Sequence, residues 1–186
     1  MRALTGVTTM DATLRYEVED LYAAYVECLD SGELERWPEF FTDACLYKII
    51  PLENFERGLP LALMLCESKG MLQDRVEALR RISVYAPRVL RHLVSGIRIR
   101  PAPPPSPEAL RPSPSEDGKE TGESAGVISV QASYAVFQTL VDEPTQVFNV
   151  GRYVDRVVRE DGKLKFKEKL CVFDSVLVPG SLIYPL

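Results

Sequence analysis

Apolar residues near the start of the chain recur at steps of three and four. Leu14, Val18, Leu21, Tyr22, Tyr25, Val26 and Leu29 form one stripe, with Glu17, Asp20 and Glu27 on the other side. That period predicts an amphipathic helix, and Ser31-Gly32 is its stop. The three acids read as a solvated face rather than a metal site. Leu34 to Phe41 is a second, short helical stretch holding Pro38. Proline begins a helix more readily than it continues one, so a break is expected after Trp37. A strand over Cys45 to Ile50 follows, then a loop from Pro51 to Gly58. Leu59 to Cys66 is a compact apolar run read as a buried strand, although its length also suits a helix. Ser68 is placed to cap a helix from Lys69 to Ile82. Leu72, Val76 and Leu79 face inward there, and Glu77 and Arg81 form an i,i+4 pair.

After Pro87 the pattern turns to strands: Arg88 to Arg100, Val127 to Leu140, Phe148 to Arg159 and Lys163 to Val178. Glu160-Asp161-Gly162 is a hairpin turn, because Asp-Gly accepts the positive φ angles of type I′. In the last strand Leu164, Phe166, Leu170 and Val172 alternate with Lys163, Lys165, Lys167 and Lys169. One face is therefore expected in the core and the lysine row in water, where it also discourages edge pairing. A basic docking patch is the lesser reading. Between the strands, Pro101 to Ala125 holds seven of the fourteen prolines. It is read as a mobile loop, with a Pro-rich ligand for another domain as the alternative. Helices first and strands later give an α+β fold: a curved mixed or antiparallel sheet with the N-terminal helices on its concave face. One domain over 1–186 is expected, with residues 1–10 a flexible tail and 101–125 the Pro-rich loop.

Composition narrows the chemistry. The 186 residues suffice for a core without staples, since such a chain buries roughly 70% of its unfolded surface. A net charge of −5 argues against nucleic acid and anionic membranes as partners. Cys28, Cys45, Cys66 and Cys171 include no close ligand pair, and each sits among apolar residues. They read as buried, reduced cysteines, which suits the cytoplasm. The N-terminus has no long apolar stretch of a signal peptide, and no run reaches the ~20 residues of a membrane span.

His92 is the only histidine. A mononuclear iron site needs two histidines and a carboxylate, and a Rieske cluster two histidines and two cysteines. No catalytic, cofactor-binding or metal-ligating residue is therefore expected in this chain. Trp37, Phe40 and Phe41 form a dense aromatic cluster, read as a lid on the first helix or as a contact surface for another chain.

A set of ordered fragments resembles the small (beta) subunit of aromatic-ring-hydroxylating oxygenases. They are Glu35-Arg-Trp37-Pro38-Glu-Phe40-Phe41-Thr-Asp43-Ala-Cys45-Leu-Tyr47, then Asp74-Arg75-Val76 and Ala78-Leu79-Arg80, then Arg88-Val-Leu-Arg91-His92-Leu-Val-Ser95. Tyr153-Val-Asp155-Arg156 and Leu182-Ile-Tyr184-Pro-Leu186 complete it. The likeness covers Leu14 to Leu186 except the Pro-rich insertion. It implies the cone-shaped, cystatin-like fold shared with nuclear transport factor 2 and ketosteroid isomerase. It implies a non-catalytic subunit in aromatic catabolism, assembled with a large (alpha) subunit as a three-plus-three hetero-hexamer. The Rieske [2Fe-2S] cluster and mononuclear Fe(II) are implied in the large subunit. Electrons from NADH are implied to come through a reductase, in some systems with a ferredoxin.

The stretch Tyr47 to Asn54, followed by Gly58-Leu-Pro, resembles members serving aromatic carboxylates, some of them monooxygenases and some dioxygenases. Given such a partner, Arg75, Arg88, Arg91 and His92 are candidate polar anchors, alongside Trp37, Phe40 and Phe41. For the arginines the competing role is an internal salt bridge to Asp43, Asp74 or Asp155. For His92 it is a satisfied hydrogen-bonding residue. Two other functions compete: a stand-alone dehydratase or isomerase using Asp43, Tyr47, His92 and Asp174 in the cone, or a module binding a small ligand there.

Overall fold

The computed structural model describes residues 9–81, 86–101, 126–175 and 182–186. The expected tail and Pro-rich loop lie almost entirely outside these residues. Helix α1 (Thr9–Asp30) follows the apolar stripe, burying Val18, Leu21, Tyr22, Tyr25 and Leu29. Its first residues fall inside the span expected to be tail. A 3-10 helix (Leu34–Phe40) comes next and contains Pro38 without the expected break. The tighter i→i+3 winding carries the proline to the end of the turn, where the Phe41 N–H donates to the Pro38 carbonyl.

Strand β1 (Phe41–Pro51) starts four residues earlier than expected. The expected loop after it contains a short helix, α2 (Leu52–Glu56). Of the run read as a strand from Leu59 to Cys66, only β2 (Met64–Cys66) pairs with β1, through Tyr47, Lys48 and Ile49. Leu61 and Leu63 are exposed, so apolar content there does not mark burial. Helix α3 (Lys69–Arg81) is as expected, and the Ser68 hydroxyl accepts from the Met71 N–H at 3.3 Å.

The remaining strands are β3 (Arg88–Pro101), β4 (Ile128–Leu140), β5 (Gln146–Glu160) and β6 (Lys163–Phe173). The six strands form one curved sheet in the order β2-β1-β6-β5-β4-β3. All neighbours are antiparallel except β1 and β6, so the sheet is mixed. Asp161 and Gly162 take φ of 52° and 77°, the two positive values the type I′ hairpin requires. Where β5 meets β6, a side chain at Gly151 would stand 2.1 Å from the Val172 carbonyl oxygen, so only glycine fits.

The expected solvated lysine row is corrected at one position. In the β5–β6 ladder Val157 faces Phe166 and Arg156 faces Glu168, so Lys167 is an extra residue. One extra residue exchanges the two faces of a strand. Leu164 and Phe166 point into the core before the bulge; Lys169, Cys171 and Phe173 do so after it. Lys169 is 0% exposed.

Candidate subunit interface

The interior of the cone is occupied by the chain itself. Lys169 Nζ lies 3.0 Å from Asp155 Oδ2, and the Tyr22 hydroxyl donates to the same oxygen. The Leu170 N–H donates to Asp155 Oδ1 at 3.2 Å. The ammonium also sits 3.5 to 4.8 Å from the ring centroids of Tyr153, Phe166, Tyr25 and Tyr22. Cation–π attraction and a hydrogen-bonded carboxylate together offset the cost of a dry lysine. Burial raises the Asp155 carboxyl above the ordinary carboxylate range, against the pull of Lys169, Tyr22 and the Leu170 N–H. Beside this pair the C-terminal segment enters the core. The Leu186 carbonyl accepts from the Tyr25 hydroxyl at 2.7 Å, and its N–H donates to the Tyr47 hydroxyl at 2.8 Å.

The aromatic candidates divide. Trp37 and Phe41 are fully buried, stacked edge-on against each other and against Tyr47, and Phe40 packs partly buried on Tyr25. Their placement is that of a lid on α1. Arg75 and Arg88 both hold the C-terminal segment. The Arg75 guanidinium donates to the Ile183 carbonyl at 3.1 Å, and Arg88 lies 5.6 Å over the Tyr184 ring while donating to Gln138 at 3.0 Å. Neither partner was foreseen. Of the three acids offered for them, two are taken by lysines, Asp43 by Lys69 at 2.9 Å and Asp155 by Lys169, and Asp74 is exposed.

His92 and Arg91 meet Asp30, the last residue of α1. The Asp30 carboxylate accepts from His92 Nδ1 at 2.6 Å and from the His92 backbone N–H at 3.1 Å. That N–H belongs to β3, an edge strand, so the helix end covers an unpaired backbone donor. Arg91 reaches the same carboxylate at 3.7 Å but is otherwise exposed. Asp30 carried no motif in the sequence, and only the docking of α1 on β3 reveals it.

The competing acid–base set is not assembled. Tyr47 lies in β1 and His92 in β3, with three strands between them. Asp43 and Asp174 are exposed. Among the described residues no group of three or more His, Cys, Asp or Glu side chains stands together. Burial pushes the Cys171 thiol up to about 12 and those of Cys28 and Cys45 up to about 11, so they stay neutral and inert. A groove of about 410 Å³ runs between α1, the 3-10 helix and the β5–β6 hairpin. Its Glu17 and Arg159 are already paired.

Exposed apolar side chains include Tyr16 of α1 and Val141 after β4 as well as two groups on the sheet. At the β2 edge Leu61, Leu63 and Leu65 face solvent. Towards the other edge Val89 and Leu93 of β3 and, across β4, Val147 and Val150 of β5 are exposed. No helix of the described residues is long and apolar enough to cross a membrane.

No family model matches the chain. It is 33% identical over 178 residues to the anthranilate 1,2-dioxygenase small subunit of Burkholderia cepacia, covering 96% of this chain and 98% of that one. It is 30% identical over 164 residues to subunit beta 1 of the terminal oxygenase component of terephthalate 1,2-dioxygenase from Comamonas sp, covering 88% and 93%. Among solved structures, a protein from Novosphingobium aromaticivorans assigned as the beta subunit of an aromatic-ring-hydroxylating dioxygenase superposes with a TM-score of 0.75. It is 35% identical, covering 95% of this chain and 99% of that one. A protein assigned as a scytalone dehydratase from the same organism shares the fold alone, at a TM-score of 0.58 and 17% identity, covering 86% and 83%. The chain therefore belongs to the small (beta) subunits of aromatic-ring-hydroxylating dioxygenases.

Proposed function

We propose that this chain is the structural subunit of a ring-hydroxylating oxygenase acting on an aromatic carboxylate, in a complex of three large and three small subunits. The single observation that supports it best is the near full-length likeness to the small subunit of an anthranilate dioxygenase. A terephthalate relative points to the same substrate class. On this reading the Rieske cluster and the mononuclear iron sit in the large subunit, and electrons from NADH arrive through a reductase, with or without a ferredoxin. The small subunit supplies a rigid body on which large subunits assemble, and a packed cone interior suits that role. Four buried cysteines, all unpaired, fit assembly in the reducing cytoplasm.

Co-expression with the large subunit encoded beside it tests this reading. The expected result is a stoichiometric hexamer by light scattering, oxidising anthranilate, benzoate or terephthalate, with no iron in the small chain purified alone. A large subunit that assembles and turns over fully without this chain overturns it.

A further inference from the structure

The segment 182–186 fills the cone as a ligand would. Pro185 and Leu186 are buried, Leu186 completely, while Leu182, Ile183 and Tyr184 are half-buried. The segment belongs to no strand or helix. Among the described residues its backbone bonds go to side chains alone: Arg75 at the Ile183 carbonyl, and Tyr25, Tyr47 and Cys171 at Leu186. From outside, Arg88 stands over the Tyr184 ring. A stretch without ladder bonds opens at less than the cost of unfolding the sheet beside it.

The place Leu186 fills has the chemistry of a recognition site. Three donors converge on its carbonyl oxygen: the Tyr25 hydroxyl at 2.7 Å, the Tyr47 hydroxyl at 3.4 Å and the Cys171 thiol at 3.5 Å. The Trp37 indole N–H donates to the Tyr25 hydroxyl at 3.3 Å, leaving that hydroxyl's own proton for the segment. A carboxylate has about twice the acceptor sites of a carbonyl, so it suits converging donors better. Nearby, the rings of Trp37, Phe41 and Tyr47 meet edge to face, the packing that aromatic rings prefer. Tyr25 and Tyr153 flank the same Lys169 ammonium, 4.6 and 3.5 Å from their ring centroids. The fully buried Tyr153 hydroxyl has no hydrogen-bond partner among the described residues, a capacity the chain leaves unmet. Asp155, the buried acid of this interior, is answered by Lys169 and so does not bar an anion.

We propose that Leu186 is a tethered stand-in, and that the segment 182–186 yields its place to an aromatic carboxylate. The ring of the acid packs among the aromatic side chains. Its carboxylate accepts from Tyr25 and from Tyr47, whose hydroxyl turns from accepting the Leu186 N–H to donating. Segment and acid exclude one another, so the segment lowers the affinity by the fraction of molecules in which it is seated. The choice of an aromatic acid rests on the substrate class proposed above.

Photolabelling of the complex with the large subunit by 4-azidobenzoate tests the site, with the labelled peptides located by mass spectrometry. Adducts are expected in the small subunit at Tyr25, Trp37, Tyr47 or Cys171, and excess benzoate is expected to remove them. Arg75→Ala with Arg88→Ala loosens the segment without touching the interior and is expected to raise this labelling severalfold. Leu186→Ala, which empties the place itself, is expected to do the same. Adding Tyr25→Phe and Tyr47→Phe to the arginine variant is expected to lower the yield severalfold again, with labelling of the large subunit unchanged. Small-subunit adducts only at exposed residues, or adducts that benzoate does not compete, overturn the proposal. Equal labelling of the wild type and the arginine variant overturns it as well, because the segment then does not govern entry. Competed label confined to the large subunit overturns it while the substrate class stands. No competed label on either subunit counts against the aromatic-carboxylate reading, and the proposal falls with it.

Discussion

The inside of the cone and the rim of the sheet invert what their positions lead one to expect. The inside holds a carboxylate, an ammonium group and several tyrosines, and most of these groups are hydrogen-bonded to one another or to the C-terminal segment, the buried Tyr153 hydroxyl being an exception. The rim faces water, yet it carries exposed leucines and valines and arginines without acidic partners among the described residues. On the function proposed above, the interior serves rigidity and the surface serves contact.

Removing one member of the interior ion pair strains this contrast most. Lys169→Ala leaves Asp155 buried without its counter-charge and is expected to cost about 3–5 kcal/mol by denaturant unfolding. Lys169→Met with Asp155→Leu removes both charges, and its stability is expected to match or exceed the wild type. A double variant as damaged as the single one would mean that the pair does more than answer itself. Gly151→Ala, which places a methyl group against the Val172 carbonyl, is expected to cost about 3 kcal/mol by the same measurement, the upper end of overpacking.

At the rim the expectation reverses. Leu93→Ser is expected to change stability by no more than about 0.5 kcal/mol while lowering the recovery of assembled complex in size-exclusion chromatography. A loss of stability instead would make Leu93 a core residue. The smallest effect is electrostatic. Hydrogen bonds from Arg159 to Glu17 and from Arg80 to Glu35 hold both carboxyls below their ordinary value of 4.5. Groups with depressed folded pKa values stabilise above that value, and the contribution is lost as pH falls through the folded pKa. Glu17→Gln with Glu35→Gln is therefore expected to flatten slightly the acid limb of a stability–pH curve and to leave neutral pH nearly unchanged, since both pairs are exposed and screened.

Local signals were read correctly where the physics was local. The α1 stripe, the Ser68 cap, the Asp161-Gly162 turn and the long strands each depend on neighbours a few residues away. The Leu59 to Cys66 run failed because apolar content reads as burial unless a second surface is known to be missing. The lysine row failed at Lys169 because a single extra residue at Lys167 reverses the parity of everything after it, and nothing in the alternation itself marks where the extra residue falls. Asp30, Gly151 and the Arg75 and Arg88 contacts to the C-terminal segment were invisible for a related reason: each joins parts of the chain far apart in sequence.

From its order of residues alone, this protein was committed to an α+β fold, to reduced cysteines and to lacking the histidines of an iron site. One histidine cannot serve where two are required, however the chain folds. Tertiary structure alone decided that a lysine lies in the core against Asp155, that Trp37 and Phe41 face inward, and that leucines of the β2 edge and valines of β3 and β5 are left outside. Composition and periodicity constrain which faces exist. Only the closing of the sheet around α1 determines which of those faces find a partner within the chain.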